Sequence, residues 1–156
     1  MADDSYTVTR SATIDAAPAR VYEEIVDFRN WTHWSPWEDL DPDLRRTYSG
    51  SESGKGAAYA WTGNRKAGEG RMEITDAIEP SSVQIDLAFL KPFKAQSDVV
   101  FTIAPEGAGS RVTWVIEGRK TLMTKVMGVF KSMDSMIGPD LDKGLARLKG
   151  TAEGPA

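Results

Sequence analysis

The sequence predicts an α+β fold in which a strongly curved antiparallel sheet is covered on one face by a long C-terminal helix. Three observations predict it. Six short alternating segments follow one another between Leu44 and Gly118, separated by residues that favour tight turns. Their apolar positions fall on one side of each segment and their polar positions on the other. The C-terminal part then repeats apolar residues at helical spacing, the cover that a one-sided sheet requires.

The first element is a strand over 6–14, where Tyr6, Val8, Arg10, Ala12 and Ile14 alternate with threonine and serine. Asp15-Ala16-Ala17-Pro18 marks a helix start, because proline at the first helical position gives up no intrahelical hydrogen bond. That helix is expected to reach about Phe28, burying Val21, Tyr22, Ile25 and Phe28. The stretch 30–44, dense in tryptophan, proline and carboxylates, reads as a short helical turn plus a loop. Strands are expected next at 44–49, 56–62, 68–77, 82–90, 95–104 and 111–118, broken by Gly- and Pro-bearing turns at 50–54, 63–64, 79–81, 91–92 and 105–109. The closing stripe is Leu122, Val126, Phe130, Met133, Ile137, Leu141, Leu145 and Leu148. A helix of about 27 residues there spans roughly 40 Å, with a kink or restart expected at Gly138-Pro139. Residues 1–150 are expected to form a single domain and 151–156 a disordered tail.

Composition narrows the function classes. The chain has 156 residues, 40% hydrophobic and 27% charged, the makeup of a globular domain. A net charge of −4 argues against partners that need a basic face, nucleic acid and anionic membranes. The absence of cysteine excludes disulfides, thiol nucleophiles, iron–sulfur clusters and thiolate zinc sites. The single histidine, His33, leaves no histidine-based metal cluster, so neither metal nor cofactor is expected. The start, Met1-Ala2-Asp3-Asp4, is acidic and has no apolar run of a secretory signal, and no segment approaches the roughly 18 apolar residues of a membrane span. The expected location is cytoplasmic.

Several motif lookalikes fail on spacing. The run 50–56 (GSESGKG) is one residue short of a phosphate loop and lacks Ser or Thr after the lysine. Asp39, Asp41 and Asp43 have the spacing of calcium-loop ligands, but Leu44 and Gly50 stand where the turn glycine and the bidentate glutamate belong.

The block Trp31-Thr32-His33-Trp34-Ser35-Pro36-Trp37, with Asp41-Pro42 after it, resembles the W-x-x-W-S-P-W … D-P stretch of the polyketide cyclase/dehydrase-like branch of the SRPBCC (START-domain) superfamily. Further matches are Tyr59-Ala60-Trp61-Thr62-Gly63-Asn64, Gly68-Glu69-Gly70-Arg71-Met72, Lys91-Pro92-Phe93, Val112-Thr113-Trp114 and Ile137-Gly138-Pro139-Asp140. The resemblance runs from about Tyr6 to Lys149. It implies the helix-grip fold, a seven-stranded antiparallel sheet wrapped around a long C-terminal helix with a hydrophobic cavity between them. It leaves the chemistry open, since relatives include lipid carriers, cyclases, hormone receptors and chaperone regulators.

Binding candidates follow from the inward strand positions, the tryptophan run and the helix stripe: Trp34, Trp37, Tyr59, Trp61, Met72, Phe89, Phe101, Trp114, Met123, Met127 and Phe130. Indoles can stack on a planar guest while their N–H groups orient it; they can equally form a mini-core that pins the loop to the sheet. Methionines on the helix suit an adaptable pocket wall or a dry core. For catalysis the candidates are Arg10, His33, Tyr59 and Glu69. His33 titrates near neutrality but is equally a surface loop residue. Arg10 points inward and needs an anionic partner, unless a bulge turns it to solvent. Three functions compete. One is a binder of a small, largely hydrophobic, lipid- or polyketide-like ligand, acting as a monomer or weak homodimer. Another is a cyclase/dehydrase-type enzyme, which requires two ionisable groups converging in the cavity. The third is a protein-interaction module with an exposed apolar patch around Trp34, Trp37, Leu90 and Phe93.

Overall fold

Alternation of side chains gives six strands an apolar face, and seven strands pair edge to edge, the polar one over 45–50 at one end. The computed structural model describes residues 5–38, 40–91, 94–119 and 133–154. Its strands are β1 (Ser5–Ile14), β2 (Arg45–Gly50), β3 (Ala57–Thr62), β4 (Glu69–Ile78), β5 (Ser82–Lys91), β6 (Ala95–Glu106) and β7 (Gly109–Arg119). All neighbours are antiparallel, in the order β1-β7-β6-β5-β4-β3-β2. Six strands are therefore a plain meander, and β1 closes the far edge against β7. Register keeps inward residues opposite one another: Val8 faces Ile116, Phe101 faces Trp114 and Val83 faces Phe101. A shift between Ile74 and Asp76 in the β4–β5 pairing marks a bulge.

The turns explain where strand ends differ from expectation. The loop expected over 105–109 is a two-residue turn, because Glu106 pairs with Gly109 and Gly107 takes φ +58°; β6 and β7 lengthen accordingly. The glycine-rich 50–56 segment is the β2–β3 turn, with Gly50, Gly54 and Gly56 all at positive φ. A Cβ on Gly50 would lie 2.1 Å from the Gly56 carbonyl oxygen, so the glycine serves chain reversal rather than phosphate binding.

Helix α1 (Pro18–Val26) stops two residues earlier than expected. Asp27 is extended, at φ −118° and ψ 113°, and its carboxylate accepts the Arg29 amide at 3.0 Å, capping a 3-10 helix over Phe28–His33. Helix α2 (Met133–Glu153) contains Pro139 yet is not restarted at Gly138-Pro139. The Arg10 guanidinium lies over Gly138 and grips both flanking turns. It donates to both oxygens of Asp134, at 2.8 and 2.7 Å, and to Asp142 at 3.3 Å. Of the disordered tail expected over 151–156, residues 151–153 continue the helix instead, and 155–156 lie outside the described residues. Ala152 is buried, Arg20 donates to the Thr151 carbonyl, and the Glu153 carboxylate accepts the Asp15 amide at 2.7 Å. The upstream stripe residues Leu122, Val126 and Phe130 lie outside the described residues. No described helix is long and apolar enough to cross a membrane.

Candidate functional site

Two aromatic groups stand on the concave face, and they differ in kind. The first is solid. Trp31, Trp34, Phe101 and Trp114 are all at most 2% exposed. Their rings interlock at centroid distances of 4.6 Å (Trp31–Trp34), 4.8 Å (Phe101–Trp114) and 5.6 Å (Trp34–Trp114). The indole N–H groups of Trp31 and Trp34 donate to the carbonyls of Ile25 and Glu24, at 2.8 and 2.9 Å. These bonds fasten the 3-10 helix to α1, so the tryptophan run is in large part the mini-core alternative. Among the described residues the Trp114 N–H has no acceptor.

The second group surrounds space. A cavity of about 170 Å³ opens between the 31–44 segment and the inner face of β3, β4 and β5. Trp31, Trp37, Tyr59, Trp61 and Phe89 supply aromatic walls, and Met72, Leu87, Leu40 and Leu44 supply aliphatic ones. Tyr59 and Trp61 stack at 6.0 Å, and Phe89 meets the Trp61 edge at 5.7 Å. The Trp61 N–H is already spent on the Ala67 carbonyl, at 2.9 Å. No described residue of α2 lines the space.

One polar cluster enters this wall. Glu38, itself buried, accepts the Tyr59 hydroxyl at 2.8 Å on one carboxylate oxygen and Arg46 Nε at 3.3 Å on the other. Arg46 also donates to the Glu38 carbonyl at 2.9 Å. Burial, reinforced by the neighbouring carboxylate, pushes the Tyr59 hydroxyl well above the ordinary tyrosine range and keeps it a donor. Ser35 lines the same cavity, and Lys66 stands exposed at its rim.

The binding candidates therefore divide. Trp37, Tyr59, Trp61, Met72 and Phe89 line the cavity. Trp34, Phe101 and Trp114 are locked in the solid core, and Met123, Met127 and Phe130 lie outside the described residues. Of the catalytic candidates only Tyr59 faces the cavity. Arg10 does point inward, but it meets carboxylates of α2. Its bond to Asp134 holds that carboxyl below the usual range. Glu69 falls on the opposite side of β4, beside Thr62 and Lys91. His33 is half exposed on another surface, where Nδ1 lies 2.9 Å from buried Glu24, which also accepts from Arg20 at 2.7 Å. Of the exposed patch expected around Trp34, Trp37, Leu90 and Phe93, Trp34 is fully buried and takes no part; Trp37 is half-buried, Leu90 is exposed and Phe93 lies outside the described residues. Among the described residues no three His, Cys, Asp or Glu side chains are placed to hold a metal.

Glu38 was not a sequence candidate. Its only local signal is a carboxylate ending the Trp-Ser-Pro-Trp run; its pairing with Tyr59, 21 residues on, is a tertiary fact.

A curved seven-stranded antiparallel sheet holding a terminal helix, with an aromatic cavity at one end, defines the helix-grip class of α+β domains. Within that class the chain belongs to the family described as polyketide cyclase / dehydrase and lipid transport, whose model matches residues 5–153. Protein CV1439 from Chromobacterium violaceum shares the fold at TM-score 0.67 and 14% identity, over 96% of this chain and 98% of that one. Ara h 8.0201 does so at 0.65 and 12%, over 95% and 97%. The Aha1 dimer from Colwellia psychrerythraea aligns at 0.61 and 14%, over 96% and 99%. Comparison with curated proteins gives no match.

Proposed function

We propose that the chain binds a small, largely hydrophobic organic molecule, without covalent attachment, in the cavity beneath the 31–44 segment. The observation that carries this reading is space of about 170 Å³ walled by five aromatic rings, in a family whose description includes lipid transport. Aromatic walls with few polar groups are the common makeup of small-molecule sites. Its described walls come from β3 to β5, the 3-10 helix and the loop after it, while Met123, Met127 and Phe130, expected to wall it from the C-terminal helix, lie outside the described residues.

Quenching of tryptophan fluorescence by toluene or naphthalene, with native mass spectrometry of the same samples, tests the proposal. Wild type should bind. Leu87→Trp, which grows a ring into the space, should lose binding by about tenfold or more, the scale expected when a guest and a side chain compete for one volume. Equal binding by both proteins would place any ligand elsewhere.

A second reading, acid–base chemistry of cyclase or dehydrase type, is favoured by one observation: Glu38 and Tyr59 converge on the same wall. Glu38 would accept a proton from the bound molecule. Recovery of the guest unchanged after prolonged incubation with wild type counts against it.

A further inference from the structure

The polar wall of the cavity is lopsided. Tyr59 spends its proton on Glu38, so towards other groups its oxygen presents only lone pairs. The N–H groups of Trp31 and Trp61 are both given to backbone carbonyls. A carboxylate accepts about four hydrogen bonds, and among the described residues Glu38 receives two from side chains. Among the described residues, Glu38 is the one anionic acceptor beside the rings; the Ser35 hydroxyl and the Trp37 indole N–H are neutral groups able to donate, and Lys66 is the one cation, at the rim. An uncommitted acceptor buried against aromatic walls is costly until a guest donates to it.

Two kinds of guest donate, neutral hydroxyls and ammonium groups. Aromatic walls with a carboxylate also suit a cation. Here the charge is already balanced: Arg46 lies 3.3 Å from the Glu38 carboxylate, and Lys66 adds a second positive group at the mouth. A third positive charge would be repelled by both. Size limits the guest further. A cavity of about 150 Å³ holds a benzene ring, and this one, at about 170 Å³, fits one ring with small substituents rather than a fused polycycle.

We infer that the site selects a neutral, single-ring hydroxylated aromatic, a phenol whose hydroxyl donates to the Glu38 carboxylate while its ring lies among Trp37, Tyr59, Trp61 and Phe89. The inference rests on the ligand-binding reading above and narrows it to one chemical class.

The test uses four probes of similar size on the full chain at pH 7 by calorimetry: p-cresol, toluene, p-methylanisole and benzylammonium. Wild type should bind p-cresol about tenfold or more tighter than toluene, the scale of a hydrogen bond to a charged acceptor. p-Methylanisole, which has the oxygen but no proton, should behave like toluene. Glu38→Gln should erase the p-cresol advantage while still binding toluene. Tyr59→Phe, which keeps the carboxylate, should retain the advantage. Equal affinity for p-cresol and p-methylanisole, tighter binding of benzylammonium, or loss of the preference in Tyr59→Phe alone would each overturn the inference and leave the cavity reading standing. Failure of all four probes to bind would remove the cavity reading as well.

Discussion

Tyr59 shows how one residue couples stability to the site. Its hydroxyl is buried and bonded to Glu38 at 2.8 Å, and both facts raise its pKa above the ordinary value of about 10. Above pH 10 the unfolded chain has released a proton that the native chain retains, so stability falls as pH rises. Tyr22 and Tyr48 are also raised, chiefly by burial, and add to the same slope. Tyr59→Phe should cost about 1–2 kcal/mol at pH 7 through the lost hydrogen bond. That deficit should shrink between pH 9 and 11, because the variant lacks one of the titrating groups. Urea unfolding followed by circular dichroism at each pH measures it, and a gap constant across the range would contradict the assignment. At this scale the sequence was informative about kind and poor about partner. Tyr59 was readable as inward by strand alternation, whereas Glu38 reaches it from a loop with no period to count. Arg10 was legible as an inward cation needing carboxylates, but nothing local named Asp134 and Asp142.

At the scale of elements, α2 is held over β1 by that same arginine. A Cβ on Gly138 would lie 2.0 Å from Arg10 Nη2, so glycine makes room for the guanidinium. Glycine also suits the position before Pro139, where other residues are disfavoured in helical geometry. Gly138→Ala should therefore lower the melting temperature in wild type by about 2–4 °C, despite alanine's better helix propensity. In an Arg10→Ala background the loss should be smaller, since no guanidinium remains to be displaced. Thermal melts of the four proteins complete the double-mutant cycle; equal shifts in both backgrounds would show that the two sites are not coupled. The same cluster bears on the kink or restart expected at the Gly-Pro pair: the helix does not restart there, because ion pairs on either side hold the two turns as one helix. Strands were the most legible elements because a period of two survives in each, and their ends moved by only one or two residues where turns proved tighter than the glycine content suggested.

Across the molecule, among the described residues, one half is packed solid and the other encloses space. Around β1, β6 and β7 the interior is filled by α1, the 3-10 helix and α2, with Val8, Phe101, Val112 and Leu145 all at most 2% exposed. Under the 31–44 segment, the inner face of β3 to β5 is instead left open. The sequence announced a one-sided apolar sheet but could not say which part its cover would fill, because volume is set by how loop, helix and sheet fit together rather than by any run of residues. The division makes opposite demands on added bulk. Val112→Phe pushes a ring into close-packed core, where overpacking costs about 1–3 kcal/mol. Leu87→Trp pushes a larger increment into the cavity and should cost less than about 1 kcal/mol, since apolar space exists to receive it. Chemical denaturation of both variants beside wild type measures the contrast. If Leu87→Trp proves as damaging as Val112→Phe, the inner faces are equally full, and a guest molecule has nowhere to sit.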